Sequence, residues 1–277
     1  MKRYTQFKPF IISEFEVTDW HHPRHNHNYY ELIYIKHGKG SHLLNKTKVN
    51  YKSGDLFLLG PDDSHEFYIE VKTHFIYIKF TASIFEKELG LFHKSTLKKI
   101  DLLINHREIR NSVFRFNTQD RDLISQIIAI ISSLANDVYT YEKAIIFQLI
   151  SIFEIMGRYI EVIPSSWVIQ QQKSISQGVE PLLSYIHQNF YYPKKLRAQH
   201  LAEEFHTTKN YIGKFFKRNM KISLRSYVRQ YKLNLIDSRL KTGSYTKKEI
   251  ASEFGFTDES HLIKTLKKQN EINSQKN

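Results

Sequence analysis

The sequence contains no cysteine, so the chain forms neither a disulfide framework nor a thiolate metal site. It also lacks a long apolar run. The most apolar helical stretch, residues 123–135, is about a dozen residues long and includes four polar residues, well short of the roughly 20 needed to cross a bilayer. The first 15 residues alternate polar and apolar side chains, unlike the apolar core of a secretory signal. These absences predict a cytoplasmic protein without a membrane span.

Acidic residues are scarce in the last third of the chain. Residues 177–277 contain 19 lysines and arginines against 9 acidic residues, a formal charge of +10, whereas residues 1–176 have 22 against 19, or +3. A basic field of this size attracts polyanions and speeds their encounter. DNA, RNA and an acidic membrane all fit it, so charge alone leaves the class of partner open.

Residues 10–81 consist of short runs rich in β-branched and aromatic residues, separated by turn residues. Many short strands at nearly even spacing predict a small antiparallel barrel or sandwich. The run 75–80 is apolar at every position except Lys79 instead of alternating, which predicts a strand buried on both faces.

Beyond residue 81 the apolar residues recur at helical spacing, in one stripe over 123–134 and a second over 144–156. The two amphipathic helices that these stripes predict either cover the barrel or form part of a dimer interface, and both roles are compatible. Residues 162–178 lose the periodicity and contain a proline, several serines and three consecutive glutamines, which is typical of a linker.

The basic region carries one unit twice. Leu201, Ala202, Glu204, Phe205 and Thr208 recur 49 residues later as Ile250, Ala251, Glu253, Phe254 and Thr257. After one extra residue in the second copy, Ile212, Lys214, Phe216, Lys217 and Arg218 recur as Leu262, Lys264, Leu266, Lys267 and Lys268.

Each unit has the parts of a helix-turn-helix motif: a short helix with a small alanine at the helix crossing, a turn, and a second helix with a polar outer face. Thr208 and Thr257 are predicted to cap the second helices by accepting their free amide hydrogens. The turns fall at His206 and Gly255, where the backbone needs a positive φ that suits glycine better than histidine.

Local signals also place the remaining helices of this region. Thr246 and Glu249 have capping-box spacing, which fixes the start of the second unit. A single long helix is predicted between the units, from a cap at Ser223 to a terminating Gly243. Such a helix would hold the two recognition helices at a fixed separation, suited to successive major grooves about 34 Å apart.

These residues resemble the AraC/XylS family of bacterial regulators over roughly 179–272. The resemblance rests on "LAEEFHTTKNYIGKFFKR", on "KLNLIDSRL" in the linking helix and on "EIASEFGFTDESHLIKTLKK". It implies a ligand-responsive transcriptional regulator, more often an activator, that has an N-terminal sensor barrel and acts as a homodimer with RNA polymerase.

Helical geometry gives the outward positions of the two recognition helices, which we expect to contact double-stranded DNA. They are Lys209, Asn210, Gly213, Lys214 and Lys217 in the first, and Ser260, Ile263, Lys264 and Lys267 in the second. Asn210 is suited to reading adenine and Lys214 guanine, whereas Lys217 and Lys267 are suited to phosphates. The first helix has the better set of reading side chains, so we expect it to contribute more of the specificity.

A histidine cluster in the N-terminal region is similar to the cupin motifs. His25, His27, Glu31 and Gly38 have the spacing H-x-H-x3-E-x6-G, and His65 follows Gly54 by eleven residues. Such a set is able to bind a transition metal inside a barrel, which raises an alternative: a metal-dependent cupin enzyme with a basic nucleic-acid-binding appendage. The other histidines, including His42, are predicted to lie at the surface.

Together these observations predict an α+β multidomain protein. A cupin-like β-barrel spans residues 1–115, a helical dimerisation or support segment 116–161, a linker 162–178, and an all-α DNA-binding domain with two helix-turn-helix motifs 179–277. The AraC/XylS resemblance favours a non-enzymatic sensor of a small molecule, a sugar being the default, with no cofactor and no metal. The predicted effector-binding residues are His25, His27, Glu31, Tyr34 and His65.

Overall fold

The computed structural model describes residues 2–8, 10–61, 63–81, 84, 100, 103–104, 110, 113–160, 178–243 and 245–274. The chain divides into two compact units. The first comprises Met1–Gln6 and Phe10–Gln188, and the second Phe7–Pro9 and Asn189–Asn277. The division falls after Gln188, later than the predicted start of the DNA-binding domain at residue 179. Most of the predicted linker, residues 162–177, lies outside the described residues.

The first unit is built on a sheet of seven described strands. They are β1 (Lys2–Tyr4), β2 (Phe10–Val17), β3 (His25–His27), β4 (Tyr30–Leu44), β5 (Thr47–Lys52), β6 (Leu56–Leu59) and β7 (His65–Phe80). The strands are paired in the order β1-β3-β7-β4-β5, with β2 also paired to β7 and β6 to β4. β1 and β3 are parallel and every other pair is antiparallel.

The two long strands β4 and β7 pass through both halves of the sheet. In one half β7 and β4 lie between β2 and β6, and in the other they lie between β3 and β5. The β4–β7 register shifts at three places between Ile35 and Gly40, which are bulges that bend the pair. Gly38 has φ 113° there, and a Cβ on it would collide with Thr73. Within the described residues the pairing does not close, so the cupin-like fold is an open sheet and not the closed barrel that strand spacing suggested.

Each face of the sheet buries a separate apolar core. One core contains Ile33, Phe57, Phe67 and Phe75 together with neighbouring aromatic residues. The other joins alternate residues of the same strands, such as Leu32 and Ile78, to two helices. β7 therefore has buried side chains on both sides from residue 75 to 80, apart from the half-buried Lys79, which confirms the prediction from its continuous apolar run.

The helices that cover the sheet are α1 (Thr118–Ser133) and α2 (Glu142–Arg158). Asn117 caps α1 by accepting a hydrogen bond from the amide of Asp120. The predicted amphipathic helices are thus present, and their apolar stripes pack on the sheet. A third helix of this unit, α3 (Glu180–Gln188), has most of its side chains buried.

The second unit contains the two predicted helix-turn-helix motifs. The first is α4 (Ala198–Glu204) and α5 (Lys209–Met220), and the second is α7 (Lys247–Glu253) and α8 (Glu259–Ser274). The linking helix α6 (Leu224–Thr242) begins at the Ser223 cap and ends at Gly243 in the left-handed region, as predicted. Tyr231, Leu235 and Ile236 of α6 pack with Ile250 and Leu262 in the core of this unit.

The structure confirms the predicted turns and helix caps of the repeat at every position but one. His206 and Gly255 have φ of 49° and 66°, and Thr246 and Glu249 form the capping box. Thr208 caps α5 by accepting from the amide of Tyr211. The predicted cap at Thr257 is wrong: the Asp258 carboxylate accepts from the amide of His261 at 2.7 Å. The extra residue of the second copy falls in this turn, so the cap moves one position along the chain.

Among the described residues, no helix has the length and apolar character needed to cross a membrane.

Candidate DNA interface and effector site

The outward face of the first recognition helix carries the side chains that the sequence assigned to it. Lys209, Asn210, Lys214 and Lys217 of α5 are exposed and Gly213 is half-buried, while Ile212 and Phe216 of the same helix are buried. A helix fixed by its apolar stripe has no freedom to rotate, so the polar side chains stay outward.

The second recognition helix has the same arrangement with fewer polar groups. Ser260, Lys264 and Lys267 of α8 are exposed, Ile263 is half-buried and Leu262 is buried. Which of these side chains contact bases, and which contact phosphates, stays a prediction.

A cavity of about 700 Å³ lies against one side of α5. Lys209, Gly213 and Lys217 line it, whereas Asn210 and Lys214 do not. Its walls include the apolar residues Phe190, Leu196, Leu224, Val228 and Phe254 and the basic residues Arg197, Arg225 and Lys232. The side chains suited to base reading and those suited to phosphates therefore lie on adjacent but distinct aspects of α5.

The histidine cluster lies in the interior of the first unit. The Nε2 atoms of His27 and His65 lie 3.4 and 3.3 Å from Oε2 of Glu31, and all three side chains are buried. These three ligand atoms lie within 4.8 Å of one another, an arrangement able to hold a metal ion. None of the three atoms has a hydrogen-bond partner among the described residues.

The partners of the remaining ring atoms fix the orientation of the imidazoles. Nδ1 of His27 lies 2.7 Å from the carbonyl oxygen of Tyr29, so Nδ1 carries the hydrogen and donates it to that oxygen. In the neutral ring, Nε2 then has a free lone pair and acts as an acceptor. Nδ1 of His65 lies 3.3 Å from Nε2 of His42. Burial lowers the pKa of His27 and His65 and brings the pKa of His42 to about 3, so the His42 ring is neutral at pH 7.

Two members of the cluster are absent from the sequence prediction. Lys79 approaches the other carboxylate oxygen of Glu31 at 3.4 Å, and the signal for it was a single lysine inside the apolar run of β7. His42 was expected at the surface, and this was wrong: it is fully buried, with its ring stacked 3.9 Å from that of Phe67. The bulges in β4 change which side chains face inward, so sequence alternation did not show this.

The five predicted effector residues do not all converge. Tyr34 belongs to the core beneath the helices, on the face of the sheet opposite to Ile33, because successive side chains of a strand point to opposite faces. Tyr34 therefore does not lie beside His27, Glu31 and His65, and its role in effector binding stays a prediction. His25 stays beside the cluster, with its ring 4.3 Å from that of His65, but its Nδ1 is directed to the Pro23 carbonyl oxygen at 3.0 Å.

A buried arginine connects this region to α3. The Arg110 side chain is fully buried, its Nε donates to Asp63 at 3.2 Å, and its other nitrogens donate to Glu180 and to the Ile104 carbonyl oxygen. Burial opposes its charge, but the carboxylates of Glu180 and Asp63 raise the pKa of Arg110 above its usual value. Asp63 lies two residues before His65 in the chain, so this ionic group links the segment that precedes β7 to the first turn of α3.

A buried cluster of polar ligand atoms in a cupin-like sheet, in a chain with two capped helix-turn-helix units, defines a DNA-binding regulator with a sensor domain. The family model described as "AraC-like ligand binding domain" matches residues 8–150, and one described as "Helix-turn-helix domain" matches residues 201–273. The chain belongs to the AraC-like family of transcriptional regulators, with a ligand-binding N-terminal domain and a helix-turn-helix DNA-binding domain.

Two relatives share about a fifth of the aligned residues with this chain. The Msm operon regulatory protein of Streptococcus mutans is 22% identical over 241 residues, which cover 86% of this chain and 80% of that protein. The HTH-type transcriptional activator RhaS of Mannheimia succiniciproducens is 22% identical over 254 residues, covering 90% and 87%. Both proteins are transcriptional regulators.

Two solved structures align with this chain over most of its length. ToxT from Vibrio cholerae aligns over 94% of both chains at 15% identity, with a TM-score of 0.39. The AraC-like transcriptional activator CuxR aligns over 85% of this chain and 82% of its own at 13% identity, with a TM-score of 0.42.

Proposed function

We propose that this chain activates transcription in the cytoplasm as a homodimer, in response to a small oxygen-rich effector bound at the histidine cluster, and that it is not an enzyme. The proposal is carried by two capped helix-turn-helix units joined through one capped helix of 19 residues. Such a helix is about 28 Å long, comparable with the roughly 34 Å turn of a duplex. The proposal that the chain is not an enzyme is supported by its relatives, which are regulators.

The side chains of α5 fall into two groups, one suited to contacts with bases and one suited to contacts with phosphates. Asn210 and Lys214 are exposed and lie outside the cavity, and an amide and an amine at these positions match the edges of adenine and guanine. Lys209 and Lys217 border the cavity and supply charge for phosphates. On α8, Ser260, Ile263, Lys264 and Lys267 complete the interface, with fewer groups that can distinguish bases.

An effector changes transcription only if it binds one arrangement of the protein more tightly than another. The buried nitrogen and oxygen atoms of His27, Glu31 and His65 lack hydrogen-bond partners among the described residues, so an oxygen-rich ligand such as a sugar would satisfy them. The name of the relative RhaS supports activation, which requires contact with RNA polymerase.

Dimer formation is supported by exposed apolar side chains on α1. Leu123 and Ile130 are 40% and 45% exposed and, seven residues apart, lie on one face of the helix. A second copy of the chain would cover this face.

Footprinting of genomic fragments with the full-length protein tests the proposal. We expect protection of discrete sites, and the genes beside them will indicate the effector. Asn210→Ala should relax the preference at one base by about 1–3 kcal/mol. Lys217→Ala should instead weaken binding to all sequences alike and reduce the salt dependence by about one phosphate contact.

Lys46→Ala is the charge-matched control, because Lys46 is exposed in a turn of the first unit. Binding that depends on salt and not on sequence, with Asn210→Ala indistinguishable from Lys46→Ala, would contradict the proposal.

A further inference from the structure

We propose that His27, Glu31 and His65 bind one divalent transition-metal ion in the sensor domain. The three convergent atoms, two imidazole nitrogens and one carboxylate oxygen, are ligands of the type that Fe²⁺, Mn²⁺, Co²⁺, Ni²⁺ and Zn²⁺ accept. The inference goes beyond the effector site, which by itself requires no metal.

The spacing of the ligand atoms fits a shared ion. Bonds of about 2.0–2.1 Å at tetrahedral angles place neighbouring ligand atoms about 3.4 Å apart. The two imidazole nitrogens lie 3.4 and 3.3 Å from the same oxygen of Glu31. These distances are too long for well-formed hydrogen bonds and match the edges of a coordination polyhedron.

The surroundings hold each ligand in the form that a metal requires. Nδ1 of His27 donates to the Tyr29 carbonyl oxygen, which is the usual arrangement for a metal-binding imidazole and leaves Nε2 free to coordinate. His42 is placed to accept from Nδ1 of His65 in the same way. Lys79 contacts Oε1 of Glu31, so Oε2 is the oxygen left for the ion.

Hydrogen bonding within the protein does not explain the same geometry. With Nδ1 of His27 bonded to Tyr29, the Nε2 of a neutral ring and Oε2 of Glu31 are two acceptors that face each other at 3.4 Å, a distance too long for a well-formed hydrogen bond in either protonation state. Burying such a pair without a cation or a proton between them is unfavourable. A divalent cation removes the conflict and satisfies Nε2 of His65 as well.

Three protein ligands leave coordination positions open on such an ion. An effector with hydroxyl or carboxylate oxygens would complete the coordination. This step rests on the proposed function, whereas metal binding itself does not.

The test uses the untagged full-length chain, since a histidine tag would bind metal. The protein is stripped with chelator, loaded with Co²⁺ or Zn²⁺ and desalted, and the metal is measured by mass spectrometry and, for Co²⁺, by its visible d–d absorption. We expect one ion per chain in the native protein. His65→Ala and Glu31→Gln should bind about 100-fold more weakly or worse, because outer-sphere changes alone cost 10–100-fold.

His37→Ala is the matched control, because His37 is an exposed histidine on the same strand as Glu31. It should retain the metal. Glu31→Gln preserves the shape of the side chain, and an unchanged circular dichroism spectrum will show that the loss is not one of folding. If the native protein retains no more metal than His65→Ala, or if His37→Ala loses as much, the proposal is wrong. Footprinting with the stripped protein tests DNA binding separately, so failure of the metal site is distinguishable from failure of the regulator assignment.

Discussion

Replacing Arg110 with methionine tests the ionic group that joins Asp63, in the segment before β7, to α3. Methionine keeps much of the aliphatic volume and removes the guanidinium, which leaves the carboxylate of Asp63 buried without its cation. Glu180 is only 15% exposed and loses the same partner. Removing one member of a buried ion pair costs about 3–5 kcal/mol, because the other charge stays desolvated.

The structure places the expected loss near the lower end of this range. The Asp63 carboxylate keeps hydrogen bonds from the Gly60 amide at 2.8 Å and from Asn45 Nδ2 at 3.1 Å. We therefore expect about 3 kcal/mol, a large fraction of the 5–15 kcal/mol that stabilises a typical domain. Asp63→Asn combined with Arg110→Met should cost less than the two single changes added together, since the two residues are in contact.

Urea unfolding followed by tryptophan fluorescence measures this loss in the first unit. Trp20 packs against Phe67 and Phe75 there, and residues 189–277 contain no tryptophan. Lys39→Met is the control: Lys39 is 66% exposed and 3.4 Å from Glu70, which is 52% exposed, and an ion pair of this kind contributes under about 1 kcal/mol.

A loss in Arg110→Met no larger than that in Lys39→Met would refute the argument that the buried charges depend on one another. In footprinting, we expect Arg110→Met to retain its DNA sites and to lose most of the response to effector, because Asp63 is no longer tied to α3.

Three further changes have defined outcomes. Burial lowers the pKa of His187 to about 3, whereas the unfolded value is about 6.5. Below pH 6.5 the unfolded chain therefore binds a proton that the folded chain does not, and the free energy of unfolding should fall by roughly 2 kcal/mol at pH 5. In urea titrations, His187→Leu should reduce this dependence of stability on pH. Gly255→Ala should cost about 1 kcal/mol in thermal unfolding, because φ is 66° there, although a Cβ would meet only an ordinary contact at 3.9 Å. His206→Gly at the equivalent turn should stabilise the protein or be neutral. A stabilising Gly255→Ala together with a destabilising His206→Gly would contradict the argument from backbone strain. Leu123→Glu with Ile130→Glu should convert a dimer to monomers in light scattering with unchanged circular dichroism, and an unchanged mass would place the dimer interface elsewhere.

The signals that worked from sequence act over a few residues. The capping box at Thr246, the Ser223 cap, the Gly243 terminator and the positive φ at His206 each involve a side chain and backbone atoms within one turn. The wrong prediction of a helix cap at Thr257 has a related cause, because neighbouring residues can compete for one cap position. An aspartate one position later is an equally good cap, and only the turn geometry selects between them.

The residues that sequence reasoning misplaced depend on strand register. Glu31 and Ile33 face the interior before the bulges of β4, and His42 faces it after them, so a single alternation cannot be followed along the strand. Tyr34 was predicted to bind effector together with Glu31, and it lies on the other face of the sheet.

The sequence by itself determined the duplicated helix-turn-helix unit, its caps and the presence of a cupin-like sensor, because hydrogen bonds and apolar periodicity within one element encode them. Only the tertiary structure decided which buried groups meet: Glu31 with His65 and Lys79, and Arg110 with Asp63 and Glu180, which are 47 and 70 residues away along the chain. Such pairs are set by how strands and helices pack. The pairing is stable because each buried charge or lone pair requires a partner that no neighbour in sequence supplies.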